Sequence, residues 1–511
     1  MGAFGSIAQA FVEQSDRAPE RALIFFEGDE LSYGQMRQLA EGWAQGLRAC
    51  RVGPGDRVAL FLENSPAFLG AYLGAHLAGA IVVLVNTQYR QTELSHILSD
   101  AGVRLCVTDA ERLPELDRVR AALPELTEII VAEEWQASDA AGATTRLPAP
   151  DDVALIAYTS GTTGRSKGAM LTHGNLLANS AAVTKAWRWT QADRLLLTLP
   201  LFHIHGLGVG IHGTLLTGAS ADLRRRFVAG EAYDELLKGE ATMFFGVPTM
   251  YTRLIAEARS RASLPKPLRL FVSGSAPLSV QTFEEFEGLF GQRILERYGM
   301  TETVMNLTNP YHGERRPGTV GGPFPGQEAR IVDVVSRSPV GPEATGEIQV
   351  RGPHVFKGYW GLAQATAEAF DAEGWFNTGD LGSVSADGYY TISGRARELI
   401  ISGGYNVYPR EVEEVLLRHP AAAEVAVLGM PHPDFGEQVV AVVVRGEGEQ
   451  ATGDEMALVE ELVALCRDQL AAYKKPRQVF FAQTLPRNAL GKVQKHLLRE
   501  ELERKARPPA G

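Results

Sequence analysis

Cysteine is scarce in this 511-residue chain: Cys50, Cys106 and Cys466 stand far apart. So few thiols at such spacing build neither a disulfide framework nor a zinc cluster, and they fit a reducing compartment. The expected location is therefore cytoplasmic, with each thiol an ordinary core or surface group. Positive charge is short as well. The 50 Lys and Arg against 61 Asp and Glu leave a net charge of -11. That argues against a nucleic-acid partner, whose binding face would be basic. Small anionic ligands stay open, because local basic residues bind phosphates even on an acidic protein. The N-terminus, MGAFGSIAQAFVEQSDRAPE, lacks the basic segment and apolar run of a secretory leader. No internal repeat is found. One charge-free stretch, FLGAYLGAHLAGAIVVLV at 68–85, approaches the length of a membrane span. Its glycines, its histidine and its β-branched tail instead predict a buried helix ending near Gly79 and then a buried strand. No obligatory membrane contact is expected.

What is present is ordinary globular material, 45% hydrophobic and 22% charged. The length calls for more than one domain. Strand-like runs (RVALFL at 57, RLCVTD at 104, EIIVAE at 128, RLLLTLP at 194, LRLFVSG at 268) alternate with helical patterns such as TELSHILSDAG. The alternation predicts a layered α/β domain with mostly parallel sheets. From about Phe324, shorter strands such as EARIVD and EIQVRG predict a β-rich subdomain. After GRARELIISGGYNVYPREVEEVLLRHP at 394–420 comes a small mixed α+β module. The expected division is 1–394 and 395–511. The segments 138–152 and 445–455 read as loops, and the tail KARPPAG as disordered.

The segment YTSGTTGRSKGAM at 158–170 carries the first chemical signal. LIAYT is a strand, and the Gly/Ser/Thr run after it has no hydrophobic periodicity. Gly161, Gly164 and Gly168 permit tight turns, and successive N–H groups there form an anion nest. A P-loop requires Gly-Lys-Ser/Thr, whereas here Lys167 follows Ser166 and precedes Gly168, so that template fails. On this loop alone, a flexible surface turn is an equal reading.

YTSGTTGRSKGAM resembles the phosphate loop of the adenylate-forming superfamily: acyl-CoA synthetases, adenylation domains of peptide synthetases, and luciferases. YGMTET at 298, GWFNTGDLG at 374, GRARELI at 394 and LPRNALGK at 485 follow in that family's order and approximate spacing. The resemblance implies an enzyme that joins AMP to a carboxylate, releases pyrophosphate and passes the acyl group to a thiol. It implies ATP, Mg²⁺ and coenzyme A as small-molecule partners, in a monomer or homodimer. It places Thr159, Ser160, Gly161, Thr162, Thr163, Gly164 and Lys167 on the β- and γ-phosphates. Thr301 would bond the α-phosphate, and Glu302 would hold Mg²⁺, which prefers oxygen ligands. Tyr298, with Gly299 and Met300, would stack on adenine beside the turn of Ser275, Ala276 and Pro277. Asp380 would accept from the ribose hydroxyls, and Arg395 would reach the ribose or phosphate. Lys492, a compact mobile cation, would bridge the carboxylate and the α-phosphate once the C-terminal module closes. A hinge just after Gly394-Arg395 would then rotate that module. Arg397 stands there where the family usually has Asp or Lys. Ser402, Gly403, Gly404 and Tyr405 would line the thiol tunnel.

The acid is read from fewer residues. The family's acyl pocket lies near LPLFHIHGLGVG and FFGVPTMYTRL, with His203 by the reacting carboxylate and His205 on the acyl site. ERYGMTETVMNLTNPYHGERRPGTVG and GVPTMYTRL are similar to malonyl-CoA synthetases. A second carboxylate stays ionised and needs a cation when buried, and guanidinium offers a bidentate fork. Arg253 and Arg297 are therefore expected to pair around malonate or methylmalonate, with Ser275 and Met305 shaping the remaining space. A structural ion pair is the plainer reading of either arginine. A fatty-acyl or aryl ligase, a membrane-associated long-chain ligase and a non-catalytic nucleotide-binding relative are the competing assignments.

Overall fold

The computed structural model describes residues 4–135, 146–159, 166–402, 405–446, 455–488 and 491–506. Among these residues the strands form four sheets. The apolar runs read from the sequence become Arg57–Phe61, Leu105–Thr108, Glu128–Val131, Arg194–Leu197 and Leu270–Ser273. All but the edge strand Glu128–Val131 are largely buried on both faces, as parallel strands covered by helices must be. A seven-stranded sheet takes the first three, and a nine-stranded sheet takes the other two. The stretch at 68–85 folds as expected: helix Pro66–Leu77, a left-handed Gly79, then strand Ile81–Leu84, all in the core. Among the described residues no helix is long and apolar enough to cross a membrane.

The β-rich region is a four-stranded antiparallel sheet of Glu328–Val332, Gly346–Arg351, Phe376–Val384 and Tyr390–Arg395. Beyond it lies a smaller sheet built on the long antiparallel pair Ala422–His432 and Gly436–Arg445, with Gln478–Ala482 added in parallel. Helices Pro409–Leu416 and Glu455–Gln469 contribute to its own core around Val412, Leu416, Leu458 and Leu462. The chain is thus a large layered α/β region with a β-rich part, followed by a small α+β module. Cys106 and Cys466 are buried and Cys50 half-buried, all as free thiols.

In the nine-stranded sheet, Arg194–Leu197, Met243–Gly246, Leu270–Ser273 and Leu295–Tyr298 are consecutive parallel neighbours. Their carboxyl ends therefore open on one edge, where ligands bind in open α/β sheets. The segments leaving those ends are 198–205, 247–253, 274–278 and 299–302. These hold many of the residues singled out in the sequence.

Candidate active site

Strand Val153–Thr159 turns back as Lys167–Thr172, with Thr159 paired to Lys167. The glycine-rich segment therefore joins two antiparallel strands, whereas a P-loop joins a strand to a helix. Ser160, Gly161, Thr162, Thr163 and Gly164 lie outside the described residues, as do Gly403 and Gly404. The flanks are held on both sides. Tyr158 donates to Asp100 at 2.6 Å, and His96 bonds the Ser166 carbonyl at 2.8 Å. The Lys167 ammonium stands 5.0 Å over the Tyr359 ring.

The turn after Leu295–Tyr298 is tight. A Cβ on Gly299 would lie 2.1 Å from the Val304 carbonyl oxygen, so only glycine fits. Val304 itself adopts φ +60°, a costly region for a β-branched residue. Asn179 ties the turn down by donating to the Met305 carbonyl at 2.8 Å. Thr301 is half-buried, whereas Glu302 is 6% exposed and accepts from the Tyr359 hydroxyl at 3.0 Å. Burial raises the Glu302 carboxyl above its usual range, opposed by Tyr359 and Arg395.

Asp380 is the hub of a cluster of polar side chains. Strand register sets Asp380 opposite Arg395, whose Nε meets Oδ1 at 2.6 Å. The Tyr298 hydroxyl donates to the other carboxylate oxygen. Lys492 projects from a turn closed by Asn488, which accepts from the Lys492 N–H at 3.0 Å. Burial pushes the Lys492 ammonium down to about 8, with the positive Arg395 adding to the effect and Asp380 and Glu398 opposing it. The C-terminal lysine thus already sits in the field of Asp380 and Arg395. The same turn touches the α/β region, since a Cβ on Gly491 would come within 2.9 Å of the Thr249 hydroxyl. Arg397 is exposed in the short turn Ala396–Glu398. Ser402 is buried, and Tyr405 is exposed and stacked on Tyr473 at 4.5 Å.

His205 opens a π-helix, His205–Ile211, which widens the turn that carries the imidazole. Its Nδ1 bonds Ser275 Oγ at 3.2 Å, and Nε2 is buried without a partner among the described residues. Ser275 holds φ +68° to reach it. Burial and the nearby Arg297 push His203 down to about 4 and His205 well below the usual imidazole range. Both rings are neutral at pH 7. Met305 is buried against the same core.

Arg297 is 3% exposed, and its Nε and Nη2 are buried with no hydrogen-bond partner among the described residues. Desolvation pulls this guanidinium down to about 9. Its strand neighbour Glu296 does not pair with it. The Glu296 carboxylate accepts from the Leu278 N–H at 3.0 Å, and burial pushes it up to about 7. The expected pairing of Arg253 with Arg297 is not formed. Tyr251, two residues before Arg253 on the same helix, turns inward to bond the Val272 carbonyl, so Arg253 faces out. Arg253 lines a cleft of about 710 Å³ with Arg90, Arg225, Arg226 and Arg487, whose wall also carries Glu63, Glu111, Glu115 and Glu424. Tyr359 and Asn179 belong to none of the sequence motifs. Tyr359 lies in a two-residue strand, Gly358–Tyr359, too short to show a period.

A magnesium ion suits this chemistry. Among the described residues no group of three or more His, Cys, Asp or Glu is arranged to hold a metal. Glu302, a buried carboxylate with one oxygen bonded to Tyr359, is the residue that would hold such an ion.

Comparison with known proteins agrees with this layout. The AMP-binding enzyme family matches residues 11–360, and the AMP-binding enzyme C-terminal domain matches 411–492. The chain is 36% identical to a malonate–CoA ligase of Arabidopsis thaliana, covering 94% of this chain and 82% of that protein. It is 37% identical to a feruloyl-CoA synthase of Amycolatopsis sp, covering 95% and 96%. The crystal structure of ATP-bound MatB from Rhodopseudomonas palustris superposes with a TM-score of 0.89, at 39% identity, over 98% of this chain and all of that one.

Proposed function

The chain belongs to the AMP-binding enzymes, as an AMP-forming acyl-CoA ligase of the adenylate-forming superfamily, and we propose that its acid is a small dicarboxylate, malonate. Relatives of nearly equal identity are named for acids as different as malonate and ferulate. Overall likeness therefore leaves the acid open, and the pocket must supply it. The observation that carries the reading is Arg297, a buried cation with two nitrogens unpartnered among the described residues. An uncompensated buried charge is costly. A substrate carboxylate offsets that cost and receives a charge-assisted fork. His205, neutral beside it, adds a donor when Nδ1 accepts a hydrogen bond from the Ser275 hydroxyl, the tautomer that puts the proton on Nε2, free to point at the same anion. A monocarboxylate would leave Arg297 unpaired.

The two steps follow from the proposed roles. A malonate oxygen attacks the α-phosphorus of ATP, an O–P bond forms, and the bond to the β-phosphate breaks as pyrophosphate departs. Lys492 neutralises charge gathering between carboxylate and α-phosphate. Lys167 and the glycine-rich segment before it hold the departing pyrophosphate, and Thr301 bonds the α-phosphate. Glu302 would hold Mg²⁺, which supplies charge neutralisation on the phosphates. Tyr298 lies along adenine, while Asp380 and Arg395 take the ribose. The CoA sulfur then attacks the acyl carbon, a C–S bond forms, AMP leaves, and the thiol proton passes to solvent. The arginine-lined cleft fits the approach of the polyanionic CoA, and Arg253 belongs there. The module after Gly394 is the moving part, turning at Arg397 so that Ser402–Tyr405 meets the thiol. The test is pyrophosphate release with ATP, Mg²⁺ and CoA across malonate, methylmalonate, acetate, octanoate and 4-coumarate. Preference for malonate is expected. Turnover confined to octanoate or coumarate would overturn the dicarboxylate assignment and leave the chemistry intact.

A further inference from the structure

Lys167 and Glu302 come from different parts of the fold, yet both reach one side chain, Tyr359. Its hydroxyl donates to Glu302 Oε1 at 3.0 Å, and its ring lies 5.0 Å beneath the Lys167 ammonium. The backbone around it is stitched to both partners. Tyr359 pairs with Ala169 in the strand that follows the glycine-rich segment, and the Trp360 N–H donates to the Gly168 carbonyl at 2.8 Å. On the other side the Phe356 N–H donates to the Glu302 carbonyl, also at 2.8 Å. The ring is set by an edge contact with Phe356 at 4.8 Å, and the Tyr359 N–H bonds Thr366 Oγ1 at 2.9 Å. A Cβ on the preceding Gly358 would lie 2.5 Å from the Thr366 methyl, so the strand approaches this closely only with glycine. The short segment 356–360 is therefore a clamp between the phosphate hairpin and the Glu302 turn.

We propose that Tyr359 is a positioning residue that couples the two phosphate-handling groups, fixing the Glu302 carboxylate through its hydroxyl and perching the Lys167 ammonium on its ring. The hydroxyl occupies one carboxylate oxygen and so aims the other, which lowers the freedom lost when a cation and polyphosphate arrive. The ring face attracts the ammonium without a formal bond, so the lysine is held near the site and released at small cost. The inference rests on the assignment of Lys167 to phosphate and Glu302 to Mg²⁺, but it concerns a residue neither motif contains.

The test separates these levels. Binding of a non-hydrolysable ATP analogue is measured by calorimetry across Mg²⁺ concentrations for the wild type, Glu302→Gln, Tyr359→Phe and Tyr359→Leu, with thermal melting as a fold control. Wild-type binding that depends on Mg²⁺ and is lost in Glu302→Gln establishes the underlying assignment. Tyr359→Phe should then need about tenfold more Mg²⁺ for half-maximal binding, the loss expected for one hydrogen bond to a charged group. It should melt like the wild type and keep its KM for the acid. Tyr359→Leu should lose a further severalfold in affinity at saturating Mg²⁺, because the perch is gone. Wild-type Mg²⁺ dependence in Tyr359→Phe overturns the positioning role. The phenylalanine variant preserves the ring packing, so it decides the matter even if the leucine variant fails to fold.

Discussion

Gly274 and Arg297 share one space: a Cβ built on Gly274 would stand 2.5 Å from the Arg297 Cζ and Nε and 2.8 Å from Nη1. Gly274 leaves the end of one strand and Arg297 sits on its parallel neighbour, the two being paired as Ser273 with Glu296, so the guanidinium lies against the glycine backbone. An arginine pocket at this point therefore requires a residue without a side chain one strand away.

Gly274→Ala should push the guanidinium aside by about an ångström. Displacement on that scale costs about a hundredfold in a positioned reaction. We expect kcat/KM for malonate to fall by about that factor, with propionate affected much less. Steady-state kinetics on both acids checks this, and equal losses would place the glycine in folding instead of specificity.

Lys492→Ala should abolish adenylate formation while largely sparing thioester formation from preformed malonyl-adenylate. The lysine sits in the field of Asp380 and Arg395, on the nucleotide side. Pyrophosphate exchange reads the first step and single-turnover CoA capture the second. Loss of both together would contradict a lysine that serves only the first.

Asp380→Asn should raise the KM for ATP by about tenfold or more and leave the KM for malonate within about twofold. It breaks the ion pair with Arg395 and weakens the acceptor for Tyr298. A matching rise in both constants would mean a general collapse of the site.

Acid should destabilise the fold before it touches most carboxylates. His76, His173 and His212 are buried together, with His76–His173 rings 4.8 Å apart and His212 bonded to the Tyr72 hydroxyl at 2.8 Å. Burial pushes His173 down to about 4 and His212 to about 3. Their folded values lie below the unfolded value of about 6.5. The unfolded chain thus binds more protons as pH falls from about 6.5 toward 4, and stability drops across that window by about 1.4 kcal/mol per group per pH unit. Glu296, raised to about 7, runs the other way and costs stability as pH rises from its unfolded value of about 4.3 toward 7. The histidines outnumber it, so urea midpoints should fall from pH 7 to 5. A flat or rising profile would contradict the buried neutral assignment.

The apolar runs were legible because burial on both faces leaves no choice but hydrophobic residues, and LRLFVSG and RLLLTLP fold as strands at the positions their composition marks. Motif order pointed to residues that the fold does bring near one another: Tyr298 and Arg395 both bond Asp380, and Lys492 feels the charges of Arg395 and Asp380. Arg253 was misread because the face a helix presents depends on its tertiary partner. Here the Tyr251 hydroxyl chose the inward side. Tyr359 was invisible because its role is a contact between segments far apart in the chain, which no local period records. The π-helix at His205–Ile211 has no sequence signature of its own.

The most direct test of the dicarboxylate assignment is kcat/KM for malonate and for propionate, measured side by side in the wild type and in Arg297→Met. Methionine keeps the apolar stem and removes the fork. Malonate is predicted to fall by about two orders of magnitude or more, the cost of a buried carboxylate without its cation, while propionate stays within a fewfold or improves. Parallel losses on both acids, or an unchanged preference for malonate, would contradict the assignment and make Arg297 a structural residue.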